Sequence, residues 1–278
     1  MVTFVYLAHS QERFRKQAAF SILSLLGQLQ GSDLEFRIAV YTDDASFFEK
    51  LPVETVHVTA EEISEWSKPI DYIHRAKLCL IQAAADRFEG AVITLDSDNC
   101  FRKDPTEFLK QWNSDTVIME KLEYILDKPA DLVGKKYKRF FKRKKVFKGV
   151  SRDYTVTMSQ ECWNSGVFGI QDPQRPYLKD SLSVCEDLHT SFRKHISEQL
   201  ASSIVMSAHF KIVDFKEYTY HWFGHGHAIN LIVNRVLENY YTDSLETLIE
   251  KVVFVKDEVL GAPLNRDKQP WYKRLFTS

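Results

Sequence analysis

Apolar positions in the first hundred residues alternate between strand spacing and helix spacing. Val2 to Ala8 is an unbroken apolar run of strand length, after which Phe14, Ala18, Ile22, Leu25 and Leu29 recur at helical spacing. Phe36 to Tyr41 predicts a second strand, ended by Thr42-Asp43-Asp44, whose acidic pair suits the cap of a short helix. Val53 to Val58 predicts a third strand. From Asp71 to Phe88, the positions Ile73, Leu78, Leu80, Ile81, Ala84, Ala85 and Phe88 fit one long helix. Gly90 stops it, and the buried-strand run Ala91 to Leu95 lies directly behind.

Farther on, Asp104-Pro105 opens another helix, with Asp as cap and Pro in its first turn. Tyr154 to Met158 alternates as a strand, and Trp163 to Ile170 follows. Tyr177 to His189 and Glu198 to Ala208 have helical patterns, and Lys211 to Phe215 reads as a strand. No repeat of solenoid period is visible. Strands alternating with helices predict an α/β protein with a mixed, mostly parallel sheet covered by helices on both faces. Such sheets bind ligands outside the carboxyl ends of their strands.

Composition narrows the class. The 278 residues are 44% hydrophobic and 13% aromatic, which excludes disorder of the whole chain and supplies a large core. Ten Gly and eight Pro are too few for collagen-like or low-complexity architectures. A net charge of −1 excludes a polycation for nucleic acid, so any charge signal is local. Cys79, Cys100, Cys162 and Cys185 are far apart, with no C-x-x-C, and read as reduced thiols of a cytosolic protein. Met1 to Ala8 lacks a basic leader and reads as a strand, and no run has the roughly 18 apolar residues of a membrane span.

The segment behind Leu95 carries the chemistry. Asp96-Ser97-Asp98 places two carboxylates just past a buried strand, where their charge is costly unless a hard divalent cation sits between them and a substrate phosphate. Two other readings stand beside it. One is a turn cap that ends the strand. The other is a phosphatase D-x-D with Asp96 as nucleophile, which ordinarily stands on the first strand and continues with Thr or Val rather than Asn99-Cys100. Upstream, Arg75 and Lys77 stand at the start of the helix leading to this strand, where cations can reach a pyrophosphate or orient the Asp pair.

Tyr72-Ile-His-Arg-Ala-Lys-Leu78, then Phe88 through Leu95 into Asp96-Ser-Asp-Asn-Cys-Phe-Arg-Lys-Asp-Pro-Thr-Glu-Phe-Leu109, resembles the core of metal-dependent nucleotide-sugar glycosyltransferases of the GT-A fold, closest to family 8. Three later segments resemble that family's motifs in order. Trp163-Asn164-Ser165-Gly166-Val167-Phe168 is similar to N-[SA]-G-V, Glu198-Gln199-Leu200 to D-Q-[DL], and His221-Trp-Phe-Gly224-His-Gly-His227 to H-[FY]-x-G-x-x-K.

The resemblance covers residues 2 to 230. It implies Asp96, Asp98 and His221 as ligands of Mn²⁺ (or Mg²⁺), a mixed O/N set. Asp96 would reach either the metal or the ribose, with Ser97 beside it, and Ala8 and His9 would edge the nucleotide pocket. Asn164 would line the sugar pocket and Gln199 would stand by the anomeric carbon, with Glu198 in place of Asp. Gly224 and His227 would hold the diphosphate, His227 standing where the family has Lys. The outcome would be retaining; an inverting enzyme would need a carboxylate base such as Glu198, Glu161 or Glu120.

Lys135 to Lys148 holds nine basic residues and no acidic one, which leaves −10 on the rest of the chain. Its interleaved Tyr137, Phe140, Phe141 and Phe147 suggest insertion at an anionic membrane surface, or cations that meet a phosphorylated acceptor. Arg266 to Arg274, with Trp271 and Tyr272, extends the same surface. Nucleic acid is not the expected partner, because no RNA-binding or helix-turn-helix motif accompanies the patch.

The sequence thus predicts a catalytic domain over residues 1–240, including a basic insertion at 130–150, and a helical, basic extension over 241–278. The expected activity is transfer of a sugar from a nucleotide diphosphate donor, UDP-linked, to a glycan or glycolipid acceptor of lipid-linked, lipopolysaccharide or capsule type. The expected place is the cytoplasm, peripheral at the inner face of the membrane. The alternatives are a D-x-D phosphatase and a non-catalytic protein that docks on a membrane or partner.

Overall fold

The computed structural model of the chain describes residues 1–129 and 132–263. The Arg266 to Arg274 stretch lies outside them. The first half runs β1 (Val2–Ala8), α1 (Glu12–Gln28), β2 (Phe36–Thr42), β3 (Glu54–His57), α2 (Ala60–Ser67), α3 (Arg75–Arg87), β4 (Ala91–Leu95), β5 (Asn99–Phe101) and α4 (Thr106–Gln111). Then come β6 (Thr116–Ile125), α5 (Leu132–Phe141), β7 (Val146–Lys148), β8 (Asp153–Thr155), β9 (Glu161–Ile170), α6 (Tyr177–Ser191) and α7 (Ser197–Ser207). The last elements are β10 (Lys211–Asp214), β11 (Thr219–His221), α8 (Gly226–Val236), α9 (Leu245–Phe254) and α10 (Lys256–Leu260).

Seven strands form the central sheet in the order β3-β2-β1-β4-β9-β6-β10. All pairs are parallel except those of β9, which runs antiparallel to both β4 and β6. The expected fold class, a mixed and mostly parallel sheet with helices on both faces, is the one found.

The unbroken apolar run of β1 follows from burial on both sides. Phe4, Tyr6 and Ala8 point into one core with α1, α8 and α9, while Val5 points into the other with α3, α6 and α7. In β4, Ile93 and Leu95 share the first core and Val92 the second. Gly90 turns α3 into β4 at φ +79°, where a Cβ would press on the Met1 carbonyl at 2.9 Å.

Chain order reverses between β1 and β4: β2 and β3 lie on one side, while β4 returns to the other. This is the switch point at which open α/β sheets form a crevice at the carboxyl ends of their strands. The residues after β1 and β4, namely His9-Ser10 and Asp96 to Asp98, line that crevice.

Three differences from the sequence reading bear on the site and the basic segment. The helix expected from Asp71 starts at Arg75, because Asp71 takes a left-handed conformation (φ +51°) that ends a short turn at Lys68–Ile70. The ten-residue β6 had no counterpart in the reading, since two register shifts against β9 break its period-two pattern. The basic insertion forms helix α5 and the β7–β8 hairpin. Their Tyr137, Phe141, Phe147 and Tyr154 are core residues.

Residues beyond 240 pack on the same core. Leu248, Ile249 and Val252 of α9 join the α1 side, and Lys50 Nζ donates to the Tyr241 and Asp243 carbonyls at 2.8 and 2.5 Å. Among the described residues, no helix is long and apolar enough to cross a membrane.

Candidate active site

Backbone pairing builds the centre of the crevice. The Asp96 N–H and Asn99 Nδ2 each donate to the Gly166 carbonyl at 2.9 Å, which ties the loop behind β4 to β9. The short strands β5 and β11 pair antiparallel with His221 opposite Asn99, and the Trp222 N–H donates to the Asp98 carbonyl at 3.0 Å. His221 is thereby carried to the Asp pair from far away in sequence, 123 residues beyond Asp98. Its Nε2 lies 3.2 Å from Asp98 Oδ1 and 3.7 Å from Asp96 Oδ2. One atom from each of Asp96, Asp98 and His221 lies within 4.8 Å of the others, a set that could hold a metal ion.

The other nitrogen of His221, Nδ1, donates to Glu120 Oε2 at 2.7 Å, and Glu120 is only 4% exposed. A carboxylate behind an imidazole fixes its tautomer and leaves Nε2 for a cation. Gly166 makes this possible. A Cβ there would lie 2.5 Å from His221 Nδ1 and closer still to Glu120 Oε2. The glycine of the W-N-S-G segment thus clears the path between β9 and the His221–Glu120 pair. Two hard oxygens and one imidazole nitrogen with this backing suit Mn²⁺ or Mg²⁺.

With no cation considered, charge is balanced by protons. Burial works against an imidazolium, but hydrogen bonds to Asp98 and Glu120 outweigh it and push His221 up to about 10. Burial would raise Asp98, yet its contact with His221 holds it below the usual carboxylate range. Asp96 is raised by burial, against the opposing pull of Lys77 and His221. Lys77 Nζ donates to Asp96 Oδ2 at 2.5 Å; burial alone would lower its affinity for the proton, and the Asp96 and Glu198 charges raise it instead.

Lys77 and Arg75, expected together, part company. Two residues span about 200° of helix, so their side chains leave α3 on different faces. Arg75 turns to Glu186 (Nε–Oε1 2.8 Å) and the Trp66 carbonyl (2.6 Å), and does not line the crevice. It is a tie between α3 and α6 rather than a pyrophosphate ligand. Of the charged pair, Lys77 alone faces the cavity.

The crevice opens into a cavity of about 710 Å³. Leu7, His9, Ser10 and Phe14 form one side. Ala8 does not take part, because strand alternation turns it into the core. His9 contacts Ser10 Oγ and lies 3.8 Å from Asp43, and Ser97 Oγ donates to Gln17 Oε1 at 3.2 Å. Gly224 is buried, and His227, exposed in the first turn of α8, does not line the cavity. From that segment His221 and Phe223 do. Lys77 is the cation that lies beside the Asp pair.

On the opposite side Glu123 joins two amides. It accepts from Asn164 Nδ2 at 2.9 Å and from Gln199 Nε2 at 3.0 Å, one bond to each oxygen. Glu198, beside Gln199, accepts from Ser165 Oγ at 3.3 Å and from the Tyr72 hydroxyl, which also lies 2.6 Å from the His195 carbonyl. Glu123, Asn164, Ser165, Glu198 and Gln199 line the cavity, and Tyr72 does not. Of the other carboxylates considered as a base, Glu120 sits behind His221 and Glu161 accepts from the Trp163 indole at 3.0 Å; neither reaches the cavity. Sequence reading missed Glu123 because the shifted register of β6 hid which face it takes.

No family model and no curated protein matches the chain. Among solved structures, the galactosyltransferase LgtC, determined with donor and acceptor sugar analogs, is 14% identical. The match covers 76% of this chain and 73% of LgtC at a TM-score of 0.52. Mouse xyloside xylosyltransferase 1, in its apo form, is 11% identical over 77% of this chain and 85% of its own, at a TM-score of 0.48. The likeness to LgtC is one of fold.

Proposed function

We propose that this chain is a family 8-like glycosyltransferase that moves a sugar from a nucleotide diphosphate donor, UDP-linked, to the hydroxyl of a glycan or glycolipid acceptor. The single observation that carries the reading is the Asp96–Asp98–His221 set at the switch point of a sheet shared with LgtC, facing a cavity with apolar walls and a few convergent polar groups. Residues 1–240 are taken as the catalytic unit and 241–278 as its extension.

Asp96, Asp98 and His221 would hold Mn²⁺ or Mg²⁺, which when bound supplies Lewis-acid neutralisation of the leaving diphosphate. Lys77 would add a cation for the same phosphates, released from Asp96 as they enter. His9 and Ser97 would border the nucleotide. Asn164, Glu123 and Glu198 present acceptors and donors for sugar hydroxyls. Gln199, whose Nε2 is engaged by Glu123, has its amide turned so that the carbonyl oxygen is left for the reacting sugar carbon. That orientation favours a retaining course. For an inverting course Glu198 is the carboxylate within reach, and its bonds from Tyr72 and Ser165 would have to open. The phosphatase reading has less support, since the Asp pair follows β4 rather than the first strand and the fold is similar to that of LgtC.

The test is thermal unfolding with UDP, GDP, CDP and their sugar conjugates, with and without Mn²⁺, on the natural protein and on Asp98→Ala. Ligand at about 100 times its dissociation constant adds about 2.7 kcal/mol, a shift of a few degrees. A Mn²⁺-dependent shift with one nucleotide, lost in Asp98→Ala, is expected. No nucleotide shift in any condition would overturn the reading.

A further inference from the structure

Apart from the crevice, the largest concentration of one charge lies on α5 and the hairpin behind it. Helix α5 buries Gly134, Tyr137 and Phe141, spaced at three and four residues, and so turns most of its charged side chains outward. Lys135, Lys136, Arg139, Lys142, Arg143 and Lys145 are exposed, and none has a carboxylate partner among the described residues. Several cations elsewhere on the surface are paired: Lys68 with Glu65, Lys103 with Glu217, Lys110 with Asp33, Arg235 with Glu258. Within the basic segment Lys144 pairs with Asp187, and the six exposed cations named above have no such partner among the described residues and repel one another.

The position of the segment is as informative as its charge. Tyr137 and Phe140 pack on Phe192 with ring centroids 5.0 and 4.7 Å apart, and Tyr137 OH lies 3.4 Å from Ser197 Oγ. This docks α5 on the turn between α6 and α7, whose His195 and Ile196 line the cavity, as does Val133 of α5 itself. That turn adds exposed Arg193, and Lys194 stands over the Phe192 ring at 5.2 Å. The cations therefore stand near the part of the mouth lined by Val133, His195 and Ile196.

The sequence allowed these aromatics to enter a membrane. Tyr137, Phe141 and Phe147 are each 0% exposed and Phe140 is half-buried against Phe192, so these rings form the floor on which the cations stand rather than an exposed wedge. What remains outside is a charged surface, with Leu132, Val146 and Val150 exposed at its edges, that leads into the cavity.

We propose that this surface, α5 with the α6–α7 turn, binds the acceptor, and that the acceptor is a polyanionic saccharide carrying phosphate or carboxylate groups along its length. The inference rests on the proposed transferase reading for the word acceptor; the binding itself does not. Negative groups on successive residues of the glycan would pair with successive cations of α5 while its terminal sugar reaches Glu123, Asn164 and Gln199. Rim charges of this kind set partner choice and association rate, and are screened by salt.

The experiment uses the full chain and the variant Lys135→Gln, Lys136→Gln, Arg139→Gln, Arg143→Gln. The probes are a phosphorylated oligomannoside, its phosphatase-treated form, an oligogalacturonate of similar length, and vesicles of phosphatidylglycerol with phosphatidylcholine. Binding of a charged oligosaccharide at low salt, little binding of the neutral one, and at least about a tenfold loss in the variant are expected. The phosphate and uronate arms tell which anion is preferred. Equal binding of neutral and charged sugars, or an unchanged variant, overturns the proposal. So does retention on the vesicles with no saccharide binding, which would make the patch a membrane contact. Mn²⁺-dependent nucleotide binding, measured on the same samples, checks folding and separates the two readings: if it is absent from both proteins while the saccharide result holds, the transferase reading fails and the anion surface stands.

Discussion

The crevice and the basic helix are both clusters of charge, and they are built in opposite ways. In the crevice, opposite charges converge on a small volume and every one is held: His221 by Glu120, Asp96 by Lys77, and the loop backbone by Gly166. On α5, charges of one sign spread over an exposed face whose long side chains are free to move, above rings that are fully buried. The first arrangement suits a compact ligand that must be placed to a fraction of an ångström. The second suits an extended one met at many points, each worth little alone. Buried parts should therefore be sensitive to single changes in both regions, and exposed parts insensitive.

The largest effect is expected beneath the basic face. Phe141→Ala removes a ring with no exposure from the second core, and should cost about 3–5 kcal/mol of stability. Urea unfolding measures it. A loss below about 1 kcal/mol would mean that α5 is not anchored as described and would weaken the contrast of floor and surface.

Next in size is Gly166→Ala. The added methyl must displace Glu120 or His221, so Mn²⁺ affinity should drop about 10- to 100-fold, as for loss of a partner that orients a metal ligand. Electron paramagnetic resonance of free Mn²⁺ reads the affinity directly. Equal affinity in the variant would remove His221 from the ligand set.

These two positions also show what could be read from the chain. The D-x-D pair and the strand before it were legible because burial on both faces leaves an unbroken apolar run, and its end at a parallel-sheet switch point is where ligands bind. Gly166 was visible as a motif letter, but its reason was not. The close approach it permits joins three segments, β9, β6 and β11, whose meeting is fixed only by sheet order. Arg75 and Lys77 looked equivalent until the start of α3 set their faces. Glu123 was hidden by the register shifts of β6, and the aromatics of α5 by the charges around them. Phe and Lys interleaved at helical spacing have the same pattern whether the rings face lipid or a core.

A smaller effect follows from proton competition in the crevice. With His221 raised to about 10, its imidazolium must lose a proton before Nε2 can bind a cation. Apparent Mn²⁺ affinity should rise up to about tenfold per pH unit between pH 7 and 8.5. The sign for stability is opposite. The metal-free protein gains from the paired imidazolium in full below its unfolded value of about 6.5, and loses that gain as pH rises toward 10. A flat affinity profile over this range would show that His221 is already neutral and that its pairing with Asp98 and Glu120 is misdescribed.

The smallest effect is the one that separates the two regions most cleanly. Arg139→Ala on the exposed face of α5 should change stability by no more than about 0.5 kcal/mol, because it has no carboxylate partner among the described residues to lose. Its sign is still informative. Removing one of a row of like charges relieves repulsion, so the variant should be slightly stabilised at low salt, and the difference should vanish near 1 M salt, where screening acts within about 3 Å. Melting curves across an ionic-strength series test this. A clear destabilisation that persists in high salt would mean that the Arg139 stem packs on the protein and that the face is less free than its exposure indicates. A salt-sensitive stabilisation would confirm that α5 holds its charges at a cost to the fold, a cost that an anionic ligand would offset.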